Sequence, residues 1–167
     1  MTKALLSAIL KIQRRKEATK MTKAIYFDMD GTLADLYGCE NWLADLINGY
    51  NRPYRNAKAL VNMRKLGKLL NELQENGYTI GIISWLSKSG TPEYNEKVTR
   101  AKMNWLARHI SAVNFDEIKI VPYGTPKEKT VENPLGILFD DEKPNRENWL
   151  GTAYDETAIL EILTALV

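Results

Sequence analysis

Cysteine and histidine are almost missing from this chain, whose 167 residues include one of each, Cys39 and His109. A lone cysteine forms no intrachain disulfide, so the core must hold the fold, and the chain reads as one suited to a reducing cytoplasm. Cys39 itself reads as a small apolar packing residue. One histidine, late in a predicted helix, and one cysteine do not furnish a zinc site. No apolar run approaches the roughly 20 residues of a membrane helix, so no membrane span is expected. Repeats and low-complexity tracts are also missing. The echo of Met-Thr-Lys-Ala at residues 1–4 and 21–24 is too short to count as a repeat. A strong excess of one charge is lacking too. The net charge is +2, and residues 1–20 hold six basic and one acidic side chain, or +5, which leaves −3 for the rest. That balance argues against a nucleic-acid partner. What the chain does have, 44% hydrophobic residues over this length, is enough for one core and one domain.

Function is most legible at residues 24–35, AIYFDMDGTLAD. Four apolar residues, Ala24 to Phe27, form a short buried strand that runs into Asp28 and Asp30. Two carboxylates one residue apart at a strand end raise each other's pKa or require a counter-ion. A hard divalent cation with oxygen ligands fits, and Mg²⁺ bridged to a phosphate is the common case. Gly31 lets the backbone turn sharply and approach a ligand, with the Thr32 hydroxyl following. A strand end that merely starts a turn would need neither the second carboxylate nor this run. Farther on, YTIGIISW (residues 78–85) is a second apolar strand ending at Ser84. LGILFDDEKPN (residues 135–145) is a third, ending in Asp140 and Asp141. Two strands that each end in paired carboxylates are far harder to obtain by chance than one. Between them, a strand at 118–121 leads through a turn to Lys127 and Lys129. Alone, Ser84 would pass for a turn former and either lysine for a solvated surface charge.

In this order, the four stretches resemble the four motifs of the haloacid dehalogenase (HAD) superfamily, mostly Mg²⁺-dependent phosphohydrolases. The resemblance covers roughly residues 24–155. It implies that Asp28 is the nucleophile that becomes an aspartyl-phosphate and that Asp30 is the general acid/base, its backbone carbonyl helping to hold the metal. It also implies phosphate binding by Gly31, Thr32, Ser84 and Lys127, with Lys129 second to Lys127. The metal set is then Asp28, Asp30, Asp140 and Asp141, and the cofactor Mg²⁺. The roles are chemically consistent. Carboxylate attack divides a difficult hydrolysis into two steps, and a second carboxyl can protonate the leaving oxygen and then activate water. DMDGTLADLYG also looks like the opening of the 5′(3′)-deoxyribonucleotidase branch, which reads DMDG, a small residue, then LAD.

Strand and helix patterns alternate along the whole chain. Helices are expected over residues 39–50, 56–76, 92–110 and 156–166. The second places Leu60, Met63, Leu70 and Leu73 on one face and ends at Gly77. The third starts with Thr91 as N-cap and Pro92 as N1, and buries Tyr94, Val98, Ala101 and Trp105. With strands at 24–27, 79–84, 118–121 and 136–139 and a short segment at 152–154, the expected fold is α/β, a doubly wound parallel sheet. Ligands then bind beyond the carboxyl ends of the strands, where Asp28, Ser84 and Asp140 all lie.

Residues 1–20 read as a basic amphipathic extension, with Leu5, Ala8, Ile9 and Ile12 at helical spacing, ahead of a phosphohydrolase domain at 21–167. Any cap is small and helical, roughly residues 36–76, with Tyr37, Trp42, Tyr50 and Tyr54 clustered in it and Trp85 beside Ser84. Such aromatics usually pack, but near a phosphate one or two could stack on a base, worth about 1–3 kcal/mol each. The leading reading is a Mg²⁺-dependent phosphomonoesterase for a (deoxy)nucleoside monophosphate or similar small phosphate ester. The same chemistry on nucleic-acid phosphate ends comes second. A non-enzymatic phospho-acceptor of the receiver type comes last, because its acceptor Asp lies on a middle strand and its acidic pair on the first.

Overall fold

The computed structural model describes residues 6–7, 10–14 and 23–167. Five parallel strands form the main sheet in the order β5-β4-β1-β6-β7. They are β1 (Ala24–Phe27), β4 (Thr79–Trp85), β5 (Glu117–Val121), β6 (Ile137–Phe139) and β7 (Thr152–Tyr154). The expected α/β parallel sheet is therefore present, with the carboxylate-bearing strand at its centre. Register aligns Phe27 with Ile82 on one side and Phe139 on the other, so the residues that follow these strands emerge together.

Side chains alternate across β1, as a strand requires. Ile25 and Phe27 face a core shared with Ile80, Ile82 and Phe139. Helix α3 (Met63–Glu75), helix α4 (Pro92–His109) and helix α6 (Ile159–Leu166) cover this face, sealing it with Leu66, Leu70, Leu73, Trp105 and Leu163. Each such aliphatic side chain contributes on the order of 1.5–3 kcal/mol by burial. Ala24 and Tyr26 point the other way, to a smaller cluster with Ile83, Leu138, Val131 and Trp149, next to the short helix α5 (Lys143–Asn148).

Helix α4 begins as its sequence indicates. Thr91 Oγ1 accepts from the Tyr94 amide at 3.2 Å with Pro92 in the first turn. Its expected stripe of Tyr94, Val98, Ala101 and Trp105 is buried. Residues 56–76 do not form one helix. The cap of α3 is Asn62, whose Oδ1 accepts from the Lys65 amide at 3.0 Å, so the helix starts at Met63. Upstream lie helix α1 (Trp42–Ile47), helix α2 (Arg52–Asn56) and a small antiparallel pair, β2 (Ala34–Asp35) with β3 (Lys58–Ala59). Leu60 consequently leaves the apolar face and is exposed, whereas Leu70 and Leu73 are buried as expected. Gly77 follows α3 in the left-handed conformation at φ 85°.

Segment 36–61 thus forms the covering layer over the strand ends, and α3 belongs to the core. Four hydrogen bonds fix that layer onto α4, one of them from Arg108 Nη2 to the Arg55 carbonyl. Trp105 Nε1 donates to the Ala57 carbonyl at 2.7 Å, Tyr94 Oη to that of Tyr50 at 3.0 Å, and Asn51 Nδ2 accompanies them onto the Lys97 carbonyl at 3.3 Å. No helix of the described residues is long and apolar enough to cross a membrane. Of the N-terminal extension, residues 6–7 and 10–14 are helical, with Leu6, Leu10 and Ile12 exposed. Leu5, Ala8, Ile9 and the Met21 start lie outside the described residues.

Candidate active site

The chain after β1 turns at once. The amides of Thr32, Leu33 and Ala34 all donate to the Met29 carbonyl, at 3.2, 2.9 and 2.8 Å. Gly31 sits in this turn at φ 83°, where a Cβ would collide with the Asp141 carboxylate and stand 2.7 Å from the Tyr37 ring. Only glycine fits between these groups, which brings the two acidic strand ends together. Thr32 then ties the turn to β6. Its hydroxyl accepts from the Asp141 amide at 3.0 Å and donates to Asp141 Oδ1 at 3.2 Å.

One oxygen each from Asp28, Asp140 and Asp141 lies within 4.8 Å of the others. Lys127, on a 3-10 turn at Lys127–Lys129, enters this group. Its Nζ donates to Asp28 Oδ1 at 2.7 Å and to Asp140 Oδ2 at 2.6 Å. Burial opposes the Lys127 charge, but Asp28 and Asp140 outweigh it and hold its pKa above the usual lysine value. Asp140 is fully buried and also accepts from the Glu142 amide and Asn145 Nδ2. Arg146 Nη1 donates to the carbonyls of both Asp140 and Asp141, at 2.7 and 2.6 Å. Burial first, and the Asp28 charge second, push Asp140 up to about 6 and Asp141 to about 7. Three crowded carboxylates against one ammonium make a hard, oxygen-only donor set that suits a divalent cation such as Mg²⁺.

Asp30 turns away from this group toward a second buried lysine. Lys102 Nζ donates to Asp30 Oδ2 at 2.6 Å, Ser84 Oγ at 2.7 Å and the Trp85 carbonyl at 2.7 Å. Burial raises the Asp30 pKa, against the pull of Lys102 and with a further push from Asp28. Sequence reasoning missed Lys102, though a signal existed: it follows Val98 by four residues and so shares the buried stripe of α4.

Above these groups lies a cavity of about 450 Å³, within the usual range for small-molecule sites. Asp28, Asp30, Lys127, Asp140 and Asp141 line its floor. Its roof is apolar, with Leu36, Tyr37, Trp42, Leu46, Tyr54 and Trp85. Of the four residues expected to bind phosphate, Lys127 alone lines the cavity. The Gly31 amide donates to the Ala34 carbonyl at 2.8 Å, the Thr32 hydroxyl is committed to Asp141, and Ser84 is fully buried beneath Lys102. Lys129 is exposed, which separates the two lysines that the sequence left open. Among the cap aromatics, Tyr37 and Trp42 meet edge to face at 5.0 Å, while Tyr50 points outward beneath the Arg52 guanidinium. Asn145 and Arg146 are further site residues without an expected role; both lie on α5, directly after the acidic pair.

No protein-family model matches this sequence, and no curated protein does. Its fold is similar to that of the D,D-heptose 1,7-bisphosphate phosphatase from Burkholderia thailandensis, with a TM-score of 0.55. The alignment covers 87% of this chain and 98% of that one at 12% identity, so the likeness is one of fold. An uncharacterized protein from Corynebacterium glutamicum aligns over 86% of this chain and 93% of its own at 15% identity, with a TM-score of 0.47, too low to carry an argument.

Proposed function

We propose that the chain is a Mg²⁺-dependent phosphomonoesterase that works through an aspartyl-phosphate on Asp28. The observation that carries this reading is the Lys127 ammonium bound to both Asp28 and Asp140 at the floor of the cavity, with Asp141 beside them. Asp28, Asp140, Asp141 and the Asp30 carbonyl would hold the ion, which supplies charge neutralisation for the incoming phosphate. An Asp28 oxygen attacks phosphorus as the ester P–O bond breaks, and the electron pair leaves with the alkoxide oxygen. That oxygen takes the proton of the Asp30 carboxyl. Asp30, now a carboxylate, removes a proton from water as the water oxygen attacks the phosphorus on Asp28. The Asp28–phosphorus bond breaks, inorganic phosphate is released, and both carboxyl groups return to their starting states. Lys127 neutralises Asp28 and the phosphate throughout.

The roof bears on the substrate. Among the described residues lining the cavity, Lys127 and the rim residue Lys88 are the cations. Away from the floor, a second phosphate on the substrate would find Ser87, Lys88 and Ser89 at the rim and otherwise mainly apolar and aromatic walls. An organic monophosphate with a flat, uncharged remainder fits better, and a (deoxy)nucleoside monophosphate has that character. The aromatic-roofed cavity favours such a molecule over a nucleic-acid end, and favours an enzyme over a receiver-like phospho-acceptor. A Mg²⁺-dependent assay across nucleoside monophosphates, sugar monophosphates and bisphosphates, and phosphorylated oligonucleotides tests the reading. Preferred release from a nucleoside monophosphate is expected. Preferred hydrolysis of an oligonucleotide end would shift the assignment to the second reading, and no release from any ester would overturn it.

A further inference from the structure

Lys102 is 1% exposed and spends all three N–H donors on three different partners at 2.6–2.7 Å. Those partners come from the loop after β1 and from the end of β4, and the ring of Tyr54, from the covering layer, stands 5.1 Å from the ammonium. The rest of the stripe, Tyr94, Val98, Ala101 and Trp105, is apolar or aromatic, so packing alone gives no reason for a charge at this point. A buried ammonium is costly unless every donor is paired, and here the pairing converges on the carboxyl assigned to proton transfer. Lys102 takes one oxygen of Asp30, while Asp30 still lines the cavity floor. The two buried lysines thus divide the two carboxylates of the first strand: Lys127 holds Asp28 and Lys102 holds Asp30.

We propose that Lys102 is a positioning residue that fixes the Asp30 carboxyl for proton transfer, tethering one oxygen so that the other faces the ester oxygen and then the attacking water. This rests on the phosphomonoesterase reading above. Without the tether the carboxyl rotates freely and proton transfer slows, whereas attack by Asp28 on a substrate with a good leaving group does not depend on it. Effects on general acid/base steps run to about 10²–10⁴-fold, and loss of orientation alone belongs at the low end, about 10²-fold.

The test is rapid-quench kinetics on the full chain with Mg²⁺, comparing wild type with Lys102→Met. In the variant, p-nitrophenyl phosphate should give phospho-Asp28 at nearly the wild-type rate, because its leaving group needs no proton. An alkyl monophosphate should give it about 10²-fold more slowly. Hydrolysis of phospho-Asp28 should slow similarly with both substrates, so the phosphoenzyme accumulates with p-nitrophenyl phosphate. An equal loss in phosphorylation with both substrates, or no change in either step, overturns the proposal. If Lys102→Met does not fold, the neutral pair Asp30→Asn/Lys102→Met is compared with Asp30→Asn alone. Identical kinetics show that Lys102 acts through Asp30, and a further loss with p-nitrophenyl phosphate shows that it acts otherwise. Absence of phospho-Asp28 in the wild type would contradict the reading of the site itself and take this inference with it. Its presence together with equal effects overturns this inference alone.

Discussion

On the floor of the cavity, Asp140 is fully buried and held by Lys127, Asn145 and the Glu142 amide. On the roof, Ile47 is 75% exposed and Leu43 54%. The N-cap of helix α1 there is Asn41, in the left-handed region at φ 56°, and its side chain makes no capping hydrogen bond. Its tie to the neighbouring helix is the ion pair between buried Asp45 and Arg52. On the proposed reading, the groups that would meet phosphorus and a cation are over-determined by hydrogen bonds, whereas α1, the part of the roof nearest the remainder of the substrate, is short, apolar and lightly anchored. Substitutions on the floor should therefore change chemistry, and substitutions on the roof should change binding.

The largest effect is expected from Asp28→Asn. The amide keeps the shape but cannot attack phosphorus, so turnover should vanish while thermal unfolding shows an intact fold. Retained activity would remove the nucleophile assignment. Removal of metal comes next. Excess EDTA should silence phosphate release, Mg²⁺ should restore it with Mn²⁺ also accepted, and Ca²⁺ should inhibit because its looser coordination misplaces the reacting groups. Activity that persists in EDTA contradicts the use made of the three carboxylates. Gly31→Ala forces a Cβ against Asp141 and Tyr37 at a positive φ, a strain on the order of 1–3 kcal/mol. Denaturant titration should show that loss, with lower turnover because Asp28 and Asp141 move apart.

Roof changes should be milder and selective. Trp42→Ala should raise KM for a nucleoside monophosphate several-fold and leave hydrolysis of p-nitrophenyl phosphate nearly unchanged, since binding remote from phosphorus is lost for the larger substrate alone. Equal effects on both substrates would make Trp42 a packing residue and erase the distinction between floor and roof. The smallest effect belongs to a chain beginning at Met21. Leu6, Leu10 and Ile12 are exposed, so stability and turnover should match those of the full chain.

The floor was far more legible in the sequence than the roof, for a physical reason. Strands that end in paired carboxylates combine a buried apolar run with a charge cluster, and few arrangements satisfy both without a cation. Asp28, Asp30, Asp140 and Asp141 could therefore be picked out before any fold was known. Lys127 could not be separated from Lys129, because the 3-10 turn that buries one and exposes the other has no strong local signature. Thr32 and Ser84 sat in suitable motifs, yet their hydroxyls are taken by Asp141 and Lys102, partners 109 and 18 residues away. The helix expected over residues 56–76 starts instead at Met63, because Asn56 ends α2, the β2–β3 pairing occupies residues 58–59 and Asn62 caps α3. The roof offered aromatics at irregular spacing, and only the tertiary contacts sort Trp42, in the cavity, from Tyr50, outside it.

The central claim is that Asp28 carries the phosphoryl group. Acid-quenching the full chain during turnover of p-nitrophenyl phosphate with Mg²⁺, followed by peptide mass spectrometry, tests it most directly. A phosphoryl group on Asp28, absent from Asp28→Asn and lost on mild alkaline treatment, is the expected result. Turnover with unmodified Asp28 at every quench time, or with the phosphoryl group on another residue, would contradict it.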